Sequence, residues 1–206
     1  MSLTLIIGSK KTSTWSLRAW LILKYFKIPF KEVVLDTYKK NFKKKILKYS
    51  PTKKVPCLID KKNKIWDSLA IGEYLAEKYY KKKLWPTNLK KRTLARCISA
   101  EIHSGFFNLR ENLSMKNFSG KNFKYKKNKN TINEIKRAQF IIDSCLKKSK
   151  GPFLFGKFSI ADCMWIPVMF RFKIYNVKVS LNCKKYLSTI LMMPEIQEWL
   201  IDGLNE

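Results

Sequence analysis

The chain has 206 residues, of which 46% are hydrophobic and 28% are charged, and its formal net charge is +28. These values are typical of a globular protein with a sizeable core, and they exclude an intrinsically disordered chain. No apolar run reaches the roughly 18 residues that a membrane-spanning helix needs. The apolar start, residues 3–7, reads as a strand and is too short for a secretory signal, so we expect a cytoplasmic protein without a membrane partner.

The positive charge comes almost entirely from lysine, because only six of the 43 basic residues are arginine. Base readout and bidentate phosphate contacts favour arginine, and the lysines are spread along the whole chain. We therefore attribute the charge to an AT-rich coding sequence and do not expect a nucleic-acid partner. A polyanion-binding function stays open as an alternative.

The five cysteines, Cys57, Cys97, Cys145, Cys163 and Cys183, are far apart in the sequence. The chain contains no CxxC motif and a single histidine, His103. This pattern argues against a disulfide framework and against a metal site. We expect the cysteines to be small apolar core residues.

The first predicted elements are a buried strand over residues 3–7 and an amphipathic helix that ends near residue 27. Between them lies a hydroxyl-rich turn, Thr12-Ser13-Thr14-Trp15-Ser16. Hydroxyl side chains accept hydrogen bonds from the free N–H groups at a helix start, and the partial positive charge there can hold an anion such as a thiolate. The turn is therefore the first candidate for an active centre.

A second strand is predicted at residues 30–35, a short basic helix at 39–48 and a third strand at 55–60. The third strand opens on Val55-Pro56, and since proline cannot sit inside a ladder, it belongs at the strand start, where a cis peptide is possible. A fourth strand is predicted at 64–66. Asp67 and Ser68 then provide helix-capping side chains for a helix at 69–79.

The periodicity from residue 89 onward is almost wholly helical. We predict one long helix over 89–113, a polar loop over 116–130, and helices over 131–149, 159–172, 182–191 and 194–204. Residues 81–88 are charged and contain proline, so we expect a linker there between a domain over 1–80 and an all-helical domain over 89–206.

Together, Ser13-Thr14-Trp15-Ser16-Leu17-Arg18, Val55-Pro56, Asp67-Ser68 and Ser159-Ile160-Ala161-Asp162 are in the order found in cytosolic glutathione transferases. The chain resembles this family over nearly its whole length, and the first motif is similar to serine-type bacterial and zeta-like members. The resemblance implies a thioredoxin-like N-terminal domain followed by an all-helical C-terminal domain. It also implies a homodimer and a role in detoxification, with glutathione as co-substrate and no metal.

The family resemblance also implies roles for residues around the turn. Ser13 is the first choice for the hydroxyl that stabilises the glutathione thiolate, with Ser16 second and Thr14 third. Val55 would pair its backbone with the cysteinyl part, aimed by Pro56, and Asp67 and Ser68 would hold the γ-glutamyl end. Lys54 and Lys43 are the candidates for contact with the glycine carboxylate.

The second half contributes two further expectations. Ser159 and Asp162 resemble a structural capping box, and we expect Asp162→Ala to cost about 1–2 kcal/mol. The pocket for a hydrophobic electrophile is expected to be lined by apolar, aromatic and basic side chains, namely Trp15, His103, Phe106, Leu109, Arg110 and Met115.

The sequence leaves two alternatives to glutathione conjugation open. One is a glutathione-dependent isomerase of the maleylacetoacetate type, although Trp15 departs from the Ser-Ser-Cys pattern of that class. The other is a non-catalytic protein on the same fold that binds ligands or polyanions.

Overall fold

A computed structural model describes residues 3–115, 123–149 and 151–206. Residues 116–122, the first part of the predicted polar loop, lie outside the described residues. Among the described residues, no helix has the length and apolar character needed to cross a membrane.

The N-terminal half is built on a four-stranded mixed sheet with the strand order β2-β1-β3-β4. Strand β1 (Leu3–Ile7) pairs in parallel with β2 (Phe30–Val34) and antiparallel with β3 (Cys57–Asp60), which in turn pairs antiparallel with β4 (Asn63–Trp66). Strand β1 is central and almost wholly buried, which explains why it reads as a continuous β-branched and leucine run rather than an alternating one.

Three helices cover the two faces of this sheet. Helices α1 (Thr14–Tyr25) and α3 (Ser68–Lys78) pack against each other. The short helix α2 (Phe42–Ile46) lies on the other face, where Ile46 joins Ile6 and Cys57 in a small core cluster. The element order β-α-β-α-β-β-α is the predicted thioredoxin-like arrangement.

The C-terminal half is helical. After a single 3₁₀ turn (Tyr80–Lys82), the helices are α4 (Leu89–Ser104), α5 (Phe107–Asn112), α6 (Lys129–Ser149), α7 (Ile160–Ile174), α8 (Leu181–Leu191) and α9 (Pro194–Asn205). Helix α7 is buried along almost its entire length because it packs on α1, α4 and α8. A single core therefore joins the two halves across α1 and α7.

The long helix predicted over 89–113 is wrong in one respect, because the chain breaks it into α4 and α5. Gly105 leaves the helix with an extended backbone, and a Cβ there would lie 2.9 Å from the carbonyl oxygen of Glu101. Phe106 follows in the left-handed region with φ of 59°. The hydrophobic pattern continues through the break, so periodicity could not locate it.

The cysteine expectation holds for four of the five residues. Cys57, Cys145, Cys163 and Cys183 are buried free thiols, and burial raises the pKa of each. Cys97 is exposed on α4, so the prediction of a core position is wrong there. The four buried thiols are poor nucleophiles, because a thiol with a raised pKa forms little thiolate at neutral pH.

Candidate functional site

A cavity of about 590 Å³ lies where the start of α1, the start of β3 and the start of α3 meet helix α4. Its volume is within the range of small-molecule sites. The residues that line it are Ser13, Trp15, Thr37, Phe42, Thr52, Lys53, Lys54, Val55, Pro56, Trp66, Asp67, Ser68 and His103.

Of the three candidate hydroxyls, only that of Ser13 lies at the cavity. Ser13 is the N-cap residue of α1, and its hydroxyl donates a hydrogen bond of 2.7 Å to Ser16 Oγ. Ser16 is fully buried and also accepts a 3.0 Å hydrogen bond from the backbone N–H of Gly8. Thr14 is buried and borders a different, very small cavity. Ser13 thus lies at the cavity, whereas Ser16 binds the turn to the backbone at the end of β1.

Gly8 lets the turn approach the rest of the site closely. A Cβ at this position would lie 2.8 Å from Thr37 Cγ2, 3.1 Å from Val55 Cγ2 and 3.3 Å from Ser13 Cβ. Distances below 3.0 Å cannot be accommodated without movement of a neighbour. Glycine therefore allows Ser13 and Val55, which come from separate segments, to share one wall of the cavity.

Val55 and Pro56 form the segment that leads into β3, and the peptide bond between them is cis. The β1–β3 and β3–β4 ladders reach no further than Cys57, so the backbone polar groups of Val55 lie beyond the paired part of the sheet. Both residues line the cavity. An extended peptide bound there could add to this edge in the manner of a strand.

Asp67 caps α3 and also reaches across to the helical half. Its Oδ1 accepts hydrogen bonds from the N–H groups of Leu69 at 2.8 Å and Ala70 at 3.2 Å, and its Oδ2 lies 2.9 Å from His103 Nε2. Its φ of 76° is in the left-handed region, which aspartate tolerates better than most residues. Asp67 thus joins the start of α3 to α4 at the cavity wall.

Ser68, the first residue of α3, is the other polar group at this end of the cavity. Its side chain is 1% exposed, and no hydrogen-bond partner of its Oγ is found among the described residues. Buried hydroxyls are normally hydrogen-bonded. The Ser68 hydroxyl is therefore available to a ligand at the N-terminus of α3.

His103 lines the cavity from α4 and contacts two other lining residues, Trp15 and Asp67. Its ring meets Trp15 edge-on, with ring centroids 5.3 Å apart, and burial lowers the pKa of the imidazole. At neutral pH the ring is therefore uncharged, and its Nε2–H donates to Asp67. His103 has a carboxylate partner, which the sequence did not reveal.

The residues predicted for a second-substrate pocket separate into three groups. Trp15 and His103 line the cavity. Phe106 and Leu109 are 5% and 0% exposed and belong to the main core, where Phe106 packs edge-on against Trp165, so their prediction as lining residues is wrong. Phe106 thus packs on α7, whereas Leu109 lies on α5, which packs against α6.

Arg110 and Met115 also lie outside the cavity wall. Arg110 is half-buried, places its guanidinium 5.7 Å from the centre of the Trp15 ring and donates to the carbonyl oxygen of Ile102. Met115 borders the same very small cavity as Thr14. Arg110 is therefore next to the site, whereas Met115 contributes to a different region.

The guanidinium of Arg18 lies behind Trp15, 4.3 Å from the centre of the indole ring. Arg18 and Arg171 are 3% and 6% exposed. Burial, together with the repulsion of neighbouring arginines, lowers the pKa of Arg18 to about 9 and that of Arg171 to about 10. The region behind the Trp15 ring, next to the cavity, is therefore positively charged.

The predicted capping box lies at the start of α7, away from the cavity. Asp162 Oδ2 accepts hydrogen bonds from the backbone N–H of Ser159 at 2.9 Å and from its hydroxyl at 3.1 Å. Asp162 Oδ1 accepts from the Leu154 N–H at 3.0 Å and from the Tyr186 hydroxyl at 2.9 Å. The carboxylate therefore joins three segments of the helical half.

Several lining residues were not predicted from the sequence, namely Thr37, Phe42, Thr52, Lys53 and Trp66. They come from loops, from the start of α2 and from the end of β4, and only the known positions of Ser13, Val55 and Asp67 could have suggested them. Within the part of the chain that the structure describes, no group of three or more histidine, cysteine or acidic residues could hold a metal ion.

Comparison with sequence families gives one match: residues 12–78 match the family described as glutathione S-transferase, N-terminal domain. A search of curated proteins found no match. The matched segment includes every residue that lines the cavity except His103, and among them are Ser13, Val55, Pro56, Asp67 and Ser68.

Solved structures with the same fold cover the whole chain. A glutathione transferase homologue from Burkholderia, crystallised with bound glutathione, is 22% identical with a TM-score of 0.76, and the match covers 100% of this chain and 99% of that one. A diazinon-metabolising glutathione S-transferase from the silkworm Bombyx mori is 16% identical with a TM-score of 0.79 and coverage of 100% and 98%. An epsilon-class enzyme from the housefly Musca domestica is 24% identical, with a TM-score of 0.76 and coverage of 99% and 94%. The chain therefore has the glutathione transferase fold, with a thioredoxin-like N-terminal half and a helical C-terminal half.

Proposed function

We propose that this protein is a glutathione transferase that binds glutathione in the 590 Å³ cavity. The observation that carries the proposal is the convergence of Ser13, Val55-Pro56 and Asp67-Ser68 on this one cavity. These segments are far apart in the sequence, and each offers a group that one part of glutathione requires. The bound glutathione in the Burkholderia homologue, which shares the fold, adds support.

The γ-glutamyl end of glutathione would bind at the start of α3. Its carboxylate would accept from the Ser68 hydroxyl, which has no partner among the described residues, and would lie at the positive end of the helix. Its ammonium group would pair with the Asp67 carboxylate. His103 would keep that carboxylate in place through its 2.9 Å contact.

The cysteinyl part would pair with the backbone of Val55 at the open end of β3. Its sulfur would then approach Ser13 at the start of α1. The Ser13 hydroxyl, which donates to Ser16 without ligand, would turn to donate to the sulfur. A hydrogen bond to the thiolate and the helix N-terminus both favour the charged form and lower the pKa of the thiol. We therefore assign the activating role to Ser13, with Ser16 and Thr14 holding the turn.

The glycine carboxylate would meet Lys53 or Lys54, which border the same cavity. The activated sulfur attacks an electrophilic carbon of the second substrate. A carbon–sulfur bond forms, the leaving group departs with its electron pair, and the thiol proton goes to solvent. Trp15 and His103 would contact that substrate. A homodimer and membership of the serine-type, zeta-like group are part of the same proposal.

A protein that binds glutathione without turnover is the second candidate, because the Ser13 hydroxyl is already engaged by Ser16. Isothermal titration calorimetry with glutathione, followed by initial rates with 1-chloro-2,4-dinitrobenzene, separates the two. We expect binding by wild type, conjugation at a measurable rate, and a loss of about 10- to 100-fold in kcat for Ser13→Ala with little change in glutathione affinity. Binding without turnover would support the second candidate, and absence of glutathione binding would refute both.

A further inference from the structure

Two adjoining cavities lie where the start of α4 and the end of α6 meet the connector over 153–159 and the segment over 83–88. Their volumes are about 440 Å³ and about 230 Å³. They share the lining residues Lys91, Ser149 and Phe155 and therefore form one site, which we call the α4–α6 site. None of its lining residues belongs to the 590 Å³ cavity.

The α4–α6 site carries an excess of positive charge. Among the described residues it is lined by no acidic side chain and by five lysines, namely Lys83, Lys90, Lys91, Lys148 and Lys157. All five are exposed, and none takes part in the ion pairs found in the described part of the chain. Lysine is abundant in this protein, so the number of lysines alone does not single out the site. What distinguishes it is that they surround a cavity whose lining offers them no carboxylate.

The carboxylates that bind lining residues do not provide that compensation. Glu73 accepts a hydrogen bond from Trp85, but it is also paired with Arg96. Asp162 accepts from Leu154, but it is fully buried and has three other donors. The charge of the five lysines is therefore left for a ligand to balance.

Aromatic side chains form the apolar wall of the site. Trp85, Phe155 and Phe158 line the larger cavity, and each is buried. The Nε1–H of Trp85 donates a 3.1 Å hydrogen bond to Glu73, and the ring of Phe158 packs on Tyr25 with centroids 3.9 Å apart. These contacts hold the wall in place without a ligand, so an apolar ring could bind there at little cost in ordering.

We infer that the α4–α6 site binds a nucleotide, that is, a planar ring joined to two or more phosphate charges. Five lysines call for a ligand with several negative charges. A lysine ammonium binds phosphate as a compact point charge, whereas recognition of a carboxylate favours the planar fork of arginine. No arginine is among the described residues that line the site. The ring would cover the aromatic wall, and the volume is within the range of small-molecule sites. This site is independent of the proposed glutathione function.

Isothermal titration calorimetry with three ligands tests both halves of the inference. The ligands are ATP, adenosine, which lacks the phosphates, and tripolyphosphate, which lacks the ring. The titrations are done at physiological salt and without Mg²⁺, which would neutralise part of the phosphate charge. We expect the Kd for ATP to be at least about 10-fold lower than that for either reference ligand, because only ATP uses both the lysines and the aromatic wall. Equal binding of ATP and either reference ligand, or no saturable binding of ATP at millimolar concentration, would overturn the inference.

A matched pair of double variants separates the site from the overall charge. Lys91→Gln with Lys157→Gln removes two lysines of the site, and Lys184→Gln with Lys185→Gln removes two exposed lysines of α8 that do not line it. Both changes lower the net charge equally. We expect the Kd for ATP to rise about 10-fold in the first and less than about 2-fold in the second. Equal weakening in both would mean that ATP responds to net charge alone, and would overturn the inference.

Glutathione shows whether ATP occupies the other cavity. The two sites share no lining residue, so saturating glutathione should leave the Kd for ATP unchanged. The first double variant should likewise keep the wild-type Kd for glutathione and, because its two lysines are exposed, the wild-type melting temperature. Competition between the two ligands would place ATP in the 590 Å³ cavity and overturn the inference. ATP binding with the expected loss in the first double variant, by a protein that does not bind glutathione, would support the α4–α6 site and refute only the proposed transferase function.

Discussion

The carboxylate of Asp162 is the most highly connected polar group in the helical half, and Asp162→Ala tests its role. The change removes the acceptor of four hydrogen bonds, from the N–H groups of Leu154 and Ser159 and from the hydroxyls of Ser159 and Tyr186. The two hydroxyls can rotate toward other acceptors. The two backbone N–H groups cannot, and Asp162 is fully buried.

The expected cost follows from the two backbone donors. Each buried donor left without a partner costs about 1–3 kcal/mol, so we expect Asp162→Ala to lower the free energy of unfolding by about 3 kcal/mol. This exceeds the 1–2 kcal/mol expected for an isolated helix cap, because the structure adds Leu154 and Tyr186 as donors. For a chain of this length the melting temperature should fall by about 6–12 °C.

The pH dependence provides a second readout. Burial raises the pKa of Asp162 from its ordinary value of 3.8 to about 6 in the native state. The native protein therefore binds a proton more readily than the unfolded chain, so proton uptake by Asp162 adds to stability at low pH, and this added part is lost as pH rises through about 6. The difference in free energy of unfolding between wild type and Asp162→Ala should thus grow by about 1.4 kcal/mol when pH falls from 7.5 to 5.

Urea unfolding followed by circular dichroism at both pH values measures these differences, with Asp143→Ala as the control. Asp143 is also in the helical half, but it is less buried and accepts only from the Ser180 hydroxyl and, weakly, from the Cys183 thiol among the described residues. Its removal should cost about 1 kcal/mol or less. A cost below 1 kcal/mol for Asp162→Ala, or a difference that shrinks at pH 5, would refute the reasoning.

Two further variants test the cavity and its support, and a third tests the contact between the N-terminal half and α9. Gly8→Ala should raise the Kd for glutathione several-fold in calorimetry, because its Cβ would meet Thr37 Cγ2 at 2.8 Å; unchanged affinity would contradict this. His103→Phe keeps an aromatic ring but removes the contact to Asp67, so we expect glutathione Kd to rise about 2- to 10-fold with little change in melting temperature. Lys10→Met leaves Glu32 and Asp202 without their shared cation, so we expect the free energy of unfolding in urea to fall by about 2 kcal/mol. An unchanged free energy of unfolding would contradict this expectation.

Much of the fold could be predicted from local patterns in the sequence. Continuous apolar runs located β1 and β3, and polar caps such as Asp67 located the start of α3, because these signals act within a few residues. The break between α4 and α5 could not be predicted. It depends on the close approach of Gly105 to the carbonyl oxygen of Glu101 and on the left-handed backbone of Phe106, while the apolar periodicity continues through both.

The candidate site shows the same division between local and long-range information. Ser13, Val55 and Asp67 could be proposed because each belongs to a recognisable short motif. The partner of His103 could not be proposed, nor could the Arg18 donors that have no partner among the described residues, since both depend on how α4 and α7 pack against the N-terminal half. Phe106 and Leu109 were misplaced for the same reason, as aromatic and aliphatic residues suit a core and a pocket equally well.

The pKa of the thiol of bound glutathione tests the central claim most directly. Thiolate absorbs near 240 nm, so a pH titration of the protein–glutathione complex, corrected for the protein alone, reports this pKa. We expect a value at least one unit below the ordinary thiol value of about 8.5 for wild type, and a return toward about 8.5 in Ser13→Ala. Ser16→Ala would serve as the comparison that disturbs the turn without removing the hydroxyl at the cavity. A bound thiol that titrates near 8.5 in wild type, or equally in wild type and Ser13→Ala, would contradict the assignment of Ser13.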